Sequence, residues 1–156
     1  MRFYQPRTQF YCGVDLHARS MYLCVVDRQG EKLLHCNLKC DRKRFLKLIA
    51  PYKKSLTVAA ECVSNWYWLA DLCEEEKIEF ALGHAQYMRA IHGGKAKNDR
   101  IDSEKIARLV QSGLFPMAYV YPRKQRGLRD LLRRRTGFVR ERAELMSHIQ
   151  NLKQNQ

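Results

Sequence analysis

The sequence predicts an α/β fold, in which a mixed five-stranded sheet with flanking helices is followed by a basic C-terminal helical segment. Three observations predict it. Short apolar runs rich in strand-forming residues alternate with helically spaced apolar residues over residues 10–111. The first three apolar runs are joined by short connections, which is typical of an antiparallel meander. From Arg123 onward, apolar residues keep helical spacing while basic residues dominate.

The strands of the meander are predicted from their local composition. Residues 10–16 read FYCGVDL, an apolar run with one aspartate near its end, and residues 21–26 read MYLCVV. The sequence DRQG at residues 27–30 is a turn signal, after which residues 32–38 form the third strand.

The later elements alternate between helix and strand. Asp41 is a predicted N-cap for the helix in DRKRFLKLI, and the fourth strand, residues 56–60, ends at Glu61. We expect Trp68 and Leu69 to pack the next helix onto the sheet. The remaining predicted elements are a helix over 65–77, a strand over 79–82, a brief helix over 86–91, and a helix from Asp99 with Gly113 as its C-cap.

The charge balance indicates a polyanionic partner. The 156 residues include 29 Lys and Arg against 16 Asp and Glu, a net charge of +13, and such an excess is typical of nucleic-acid binding. An anionic membrane surface is the competing explanation. However, no stretch approaches the roughly 20 apolar residues of a transmembrane helix, and the N-terminus lacks the apolar core of a signal peptide. We therefore expect no membrane partner and a cytoplasmic location.

The six cysteines lack the spacing of a zinc motif. None forms a CxxC pair, and the closest two, Cys36 and Cys40, have no second cluster to complete a site. Four of the six lie inside apolar runs. We interpret them as reduced core residues rather than as zinc ligands or disulfides.

Four acidic residues fall at informative places in this order of elements. The order fits a ribonuclease H-like fold, whose metal nucleases carry carboxylates on the first strand, at the end of the fourth strand and on a later helix. Asp15 lies in the first predicted strand and Glu61 ends the fourth, while Asp99 and Asp102 share one helix face. Carboxylate oxygens are suitable ligands for Mg²⁺, and paired ions assist phosphoryl transfer. Taken singly, each acid also has an ordinary structural explanation, such as helix capping.

Three motifs surround these acids. GVDLHARS contains Asp15, AAECVSNWYWLADL contains Glu61, and KNDRIDSEKIARLV contains Asp99 and Asp102. In this order and on these elements, they resemble the N-terminal RuvC-like domain of the DEDD-type insertion-sequence transposases, the family that includes the Piv DNA invertase. The resemblance covers nearly the whole chain, and the basic tail is similar to the coiled-coil segment that follows this domain.

The resemblance implies a transposase or site-specific recombinase that cleaves and transfers DNA strands. Asp15, Glu61, Asp99 and Asp102 would be the catalytic carboxylates that bind Mg²⁺, with Mn²⁺ as a substitute. In this family a serine of a C-terminal domain becomes joined to DNA, and no serine of this sequence lies at the corresponding place. The resemblance also implies a structured guide RNA in some members, and a homo-oligomer, a dimer or tetramer, which we expect to form through the C-terminal helix.

Two regions with different roles are expected. Residues 1–120 would form the RuvC-like catalytic domain, and residues 121–156 a basic helical or coiled-coil segment leading to a C-terminal domain that the sequence lacks. Residues 123–156 hold ten Lys or Arg and three Asp or Glu, which is +7 of the net +13. The candidates for phosphate contact are Lys95, Lys97 and Arg100 beside the acids, and Arg133, Arg134 and Arg135 in the tail.

A second function fits the same composition. The chain would then be a non-catalytic module for nucleic-acid binding and oligomerisation, with vestigial carboxylates. The two hypotheses differ in which variants matter, because only the first makes Asp15 and Asp102 essential.

Overall fold

The computed structural model of the chain describes residues 2–62, 65–91 and 99–155, except for the side chains of residues 89–91 and 99. The chain divides into two compact units, Met1–Val120 and Tyr121–Gln156. The first unit holds a sheet with its helices, and the second holds one long helix. The catalytic and linking roles assigned to these regions remain predictions.

The secondary structure follows the predicted order, with ends that differ by one or two residues. The strands are β1 (Phe10–Leu16), β2 (Ser20–Asp27), β3 (Lys32–Lys39), β4 (Leu56–Glu61) and β5 (Glu79–Gly83). The helices are α1 (Arg42–Ile49), α2 (Tyr67–Glu75), α3 (Ala85–Ile91), α4 (Asp99–Gln111) and α5 (Arg123–Gln154), with a short 3₁₀ turn at Lys53–Ser55. The predicted cap of α1 is present, since Asp41 Oδ1 accepts a hydrogen bond from the backbone N–H of Arg44 at 2.7 Å.

The strands form a single mixed sheet in the order β3-β2-β1-β4-β5. β2 is antiparallel to both β1 and β3, whereas β4 is parallel to β1 and to β5. This is the topology of a ribonuclease H-like fold. The predicted fold class, including the antiparallel meander at the start and the C-terminal helix, is therefore confirmed.

One face of the sheet is covered by α4. Gly13 of β1 lies opposite Cys24 of β2 and opposite Ala59 of β4, so the side chains at this level share one face. A buried cluster joins that face to the helix, with Tyr11, Cys24, Val26, Ala59 and Ala81 from the sheet and Ile106, Ala107, Leu109 and Val110 from α4.

The opposite face of the sheet is also buried. Val14, Leu23 and Val58 alternate with the residues that face α4 and have no exposed surface. Phe45 of α1 and Leu69 of α2 are equally buried but do not belong to the cluster around α4. These two helices therefore cover the second face, and the sheet is the middle of three layers.

The packing of α2 differs from the expectation in one residue. Leu69 is buried as expected, but the fully buried indole belongs to Trp66, and Trp68 is only partly buried. The reason is that α2 begins at Tyr67. Trp66 precedes the first turn, so the spacing inside the helix does not determine where its side chain lies.

α5 is a helix of 32 residues, which corresponds to about 48 Å. Many of its apolar side chains are exposed, among them Leu128, Leu131, Leu132, Phe138, Val139, Leu145, Met146, Ile149 and Leu152. Within the described part of the chain, no helix combines the length and apolar character that crossing a bilayer requires.

Candidate functional site

Two of the four predicted carboxylates lie on neighbouring strands. The parallel register of β1 and β4 pairs Gly13 with Ala59 and Val14 with Ala60. Asp15 and Glu61 are the next residues along these two strands, about 4.8 Å apart in backbone spacing. Because side chains alternate, both belong to the face that α4 covers. The sheet thus brings Asp15 and Glu61 side by side at the carboxyl ends of its two central parallel strands.

α4 runs antiparallel to β1. Near its end, Gln111 Nε2 donates to the carbonyl oxygen of Arg28 at 2.9 Å, just after the end of β2 that pairs with the start of β1. At its beginning, the carbonyl oxygen of Arg100 accepts a hydrogen bond from His35 Nε2 at 2.9 Å. The first turn of α4 therefore lies toward the end of β1 that carries Asp15.

The helix crosses β1 at Gly13, in backbone contact. A Cβ atom at Gly13 would overlap the carbonyl oxygen of Ser103 and the backbone nitrogen of Ala107. Asp15 lies two residues farther along β1, a distance of about 7 Å. Four or five residues of an α-helix span about the same length. Because the helix is antiparallel to the strand, counting back from the crossing point leads toward the first turn of α4, which holds Asp99 and Asp102.

The two helical acids are described to different extents. Asp99 is the first residue of α4, and its side chain lies outside the described residues. Asp102 is partly exposed, and its Oδ1 accepts a hydrogen bond from Lys105 Nζ at 3.3 Å. A spacing of three residues puts Asp99 and Asp102 on one helix face.

Asp15 has a basic neighbour whose role the sequence motifs did not reveal. His17 Nε2 lies 3.2 Å from Asp15 Oδ2. The backbone of His17 is held in turn, because its carbonyl oxygen accepts a hydrogen bond from Asn65 Nδ2 at 2.8 Å. Both His17 and Asp15 make further interactions. The signal available in the sequence was the Asp-x-His spacing at the end of a strand.

The described carboxylates do not form a closed cluster. Among the described residues, one group of three Cys, His, Asp or Glu side chains has its ligand atoms within 4.8 Å of one another, and it consists of Cys24, His35 and Glu104. Asp15, Glu61 and Asp102 are not such a group. Side-chain rotation of the described acids is therefore needed before one ion could contact all three.

The predicted nucleic-acid contacts divide between the two units. Lys95 and Lys97 lie outside the described residues, whereas Arg100 is exposed in the first turn of α4. The tail candidates, Arg133, Arg134 and Arg135, are all exposed on α5. Successive residues on a helix point about 100° apart, so the three guanidinium groups fan around the helix and do not share one face.

Comparisons with known proteins give one family and several distant structures. A family model described as a transposase, of the DEDD type of IS110 elements, matches residues 12–154. RuvC of T. thermophilus in complex with a Holliday junction substrate is 16% identical with a TM-score of 0.48, and the alignment covers 70% of this chain and 99% of that one. The large terminase nuclease of the thermophilic phage G20c, with bound zinc, is 14% identical with a TM-score of 0.43, over 72% of this chain and 65% of that one. Among curated proteins no match was found.

Proposed function

Because the chain belongs to the DEDD-type IS110 transposase family, we propose that it supplies the metal-binding carboxylates for DNA strand cleavage and transfer. Asp15, Glu61, Asp99 and Asp102 are the proposed ligands of Mg²⁺, with Mn²⁺ as a substitute. The observation that carries the proposal is geometric. Asp15 and Glu61 adjoin on one face of the sheet, and α4 crosses that face with its first turn toward the end of β1 that carries Asp15.

The donor set suits a hard divalent ion. Carboxylate oxygens are the ligands that Mg²⁺ and Mn²⁺ prefer, and such sites leave positions for phosphate oxygens. When bound, the ion supplies charge stabilisation for the attacking and leaving oxygens at phosphorus. In this proposal the chain contributes placement: β1 and β4 would hold Asp15 and Glu61, and the first turn of α4 would supply Asp99 and Asp102.

Two basic side chains complement these acids. Carboxylates brought together without a cation repel one another, and the ion pair with Lys105 offsets part of that repulsion at Asp102. His17 Nε2, 3.2 Å from Asp15 Oδ2, would help to orient the Asp15 carboxylate. Lys105 is half-buried and would turn from Asp102 toward a DNA phosphate when the ion binds.

The nucleophile is proposed to be a serine of a C-terminal domain. Ser103, the serine of α4, is fully buried, and its hydroxyl donates to the carbonyl oxygen of Arg100 at 3.0 Å. The Ser103 hydroxyl is therefore engaged within α4, and Ser103 is not the proposed nucleophile. If a water molecule attacks instead, the domain acts in the manner of a junction resolvase.

The proposed assembly extends beyond the carboxylates. DNA is the proposed substrate. If this chain resembles the RNA-guided members of the family, a structured guide RNA would direct the protein to its DNA target. A homo-oligomer, a dimer or tetramer, would form through α5, whose exposed apolar side chains need a partner. A cytoplasmic location is part of this proposal.

The proposal is tested first by Mn²⁺ binding. We expect Asp15→Asn to weaken Mn²⁺ affinity at least about tenfold, because it removes a charged ligand from a rigid strand. Electron paramagnetic resonance of free Mn²⁺ measures this directly, with and without a short DNA duplex. Asp130→Asn on α5 is the matched control and should leave the affinity unchanged. Equal Mn²⁺ affinity of wild type and Asp15→Asn in both conditions would contradict the metal site.

The second candidate function, a non-catalytic nucleic-acid-binding module, is favoured by the exposed arginines of α5. Removing Arg133, Arg134 and Arg135 together should weaken DNA binding and reduce its salt dependence. Because they fan around the helix, one duplex reaches one or two of them, so the slope of log K against log salt should fall by about 1 to 2.

The control for the arginine variant removes three exposed cations from α1, namely Lys43, Arg44 and Lys47. This control variant changes the net charge by the same amount and should leave the slope of log K against log salt nearly unaltered. If the arginine variant abolishes every activity while Asp15→Asn changes none, the chain is the non-catalytic module.

A further inference from the structure

A group of side chains with the chemistry of metal ligands lies between the sheet and α4, apart from the four proposed carboxylates. Cys24 of β2, His35 of β3 and Glu104 of α4 each offer one ligand atom, and these atoms lie within 4.8 Å of one another. Cys24 and His35 are cross-strand partners in the antiparallel register. The group therefore joins β2 and β3, the two strands at one edge of the sheet, to the helix.

The hydrogen bonds of His35 determine which ring nitrogen is available. Nε2 lies 2.9 Å from the carbonyl oxygen of Arg100, and a carbonyl oxygen can only accept. Nε2 therefore carries the hydrogen, and Nδ1 is left with a free lone pair. Nδ1 is buried and has no hydrogen-bond partner among the described residues. Metal-binding histidines are typically oriented this way, with the other ring N–H donated to a backbone carbonyl.

The sulfur of Cys24 is buried and protonated in the metal-free protein. The residue has no exposed surface. Burial, and next the negative charge of Glu104, raise the pKa of the Cys24 thiol to about 11. A thiophilic ion would lower this pKa and displace the proton to solvent, so that a thiolate–metal bond replaces the S–H bond.

Glu104 is already ionised and is held by two cations. Lys32 Nζ lies 2.7 Å from Oε2, and Arg108 donates to Oε1 at 2.9 Å. The hydrogen bond from Lys32, and then that from Arg108, keep the pKa of Glu104 below its ordinary value. Lys32 is partly exposed and can swing into solvent, which would free one carboxylate oxygen while Arg108 keeps the other.

We propose that Cys24, His35 and Glu104 form a zinc site that fastens α4 to β2 and β3. One sulfur, one nitrogen and one oxygen are ligands that Zn²⁺ accepts in a tetrahedral site, with the fourth position left for water or another ligand. The donor set differs from the all-oxygen set proposed for Mg²⁺. The site is independent of the proposed catalytic function, although it would steady the helix that carries Asp99 and Asp102.

The test uses Co²⁺ as a spectroscopic substitute for Zn²⁺ in the whole chain. A thiolate ligand gives Co²⁺ an intense near-ultraviolet charge-transfer band, which carboxylates do not produce. We expect this band in the wild type, its displacement by Zn²⁺, and its loss in Cys24→Ser. Competition with a chromogenic chelator should show that Glu104→Gln weakens Zn²⁺ binding at least about tenfold.

Two controls distinguish this site from Co²⁺ bound at a different thiol or at the four carboxylates. Cys36→Ser alters the thiol next to His35 in sequence, which alternation places on the other face of β3, and it should keep the band. Asp15→Asn should also keep it, whatever happens to Mn²⁺ binding. If Cys24→Ser fails to fold, Cys24→Ala and His35→Gln test the same site, and we expect both to lose the charge-transfer band. Absence of the band in the wild type, or its persistence without Cys24, would overturn the proposal and leave an ordinary core thiol beside a surface ion pair.

Discussion

Asp102→Asn is expected to lower metal-dependent DNA strand cleavage by at least about 10³-fold while leaving DNA affinity nearly unchanged. The carboxamide keeps the shape of the side chain but removes the charge that would hold a divalent ion at the first turn of α4. Loss of several kcal/mol of charge stabilisation corresponds to this factor, since about 1.4 kcal/mol is tenfold in rate. We expect the same loss of cleavage for Asp15→Asn, because Asp15 is a proposed ligand of the same ion.

The measurement compares cleavage and DNA affinity in the same preparations. It is made on the full-length protein, which in this proposal includes the C-terminal domain that bears the serine. Glu74→Gln serves as the control, because Glu74 is an exposed acid on α2, which covers the opposite face of the sheet. Undiminished cleavage by Asp102→Asn would exclude the four-carboxylate mechanism, whereas a parallel loss of DNA affinity would indicate a structural role.

The relative placement of the four candidate acids could be predicted from the sequence because it follows from the order of the strands and helices. Strand alternation and the parallel pairing of the first and fourth strands place Asp15 beside Glu61, and helix periodicity places Asp99 with Asp102. These relations need only the topology, which the succession of strands and helices predicted. The family match over residues 12–154 agrees with the motifs around these acids.

The cluster of Cys24, His35 and Glu104 could not be predicted from the sequence, because it depends on tertiary structure. Cys24 and His35 are 11 positions apart, and Glu104 follows 69 positions later. No spacing rule links such residues, because zinc motifs that are visible in a sequence have short intervals between their ligands. Only the pairing of β2 with β3 and the direction of α4 bring the three together.

Gly13 is a second example, and its replacement has a large expected effect. Within GVDL it looks like a small residue in a strand, where glycine is normally a weakness. The structure shows that α4 rests on it. Alanine at this position would place Cβ against the carbonyl oxygen of Ser103 and the backbone nitrogen of Ala107, two atoms that cannot rotate away as a side chain would.

Gly13→Ala should therefore lift α4 from the sheet. We expect the free energy of unfolding to fall by about 3 kcal/mol, the upper part of the range for overpacked cores, with Tm lower by about 10 °C. The first turn of α4 would move away from Asp15 and Glu61. A displacement near 1 Å can cost about 10²-fold in rate, so cleavage should fall even at temperatures where the variant is fully folded.

The matched control is the same substitution where space is free. At Gly127 of α5, the described part of the chain leaves open space for a new Cβ beyond the backbone of the helix itself. Gly127→Ala should therefore raise helix stability by about 0.5–1 kcal/mol. The two variants thus make the same chemical change with opposite expected signs, measured by thermal and denaturant unfolding. A stable Gly13→Ala would mean that α4 can move without loss of packing. If that variant also cleaved DNA normally, the carboxylates of α4 would not need the position that Gly13 gives them, and their place in the site would have to be reassigned.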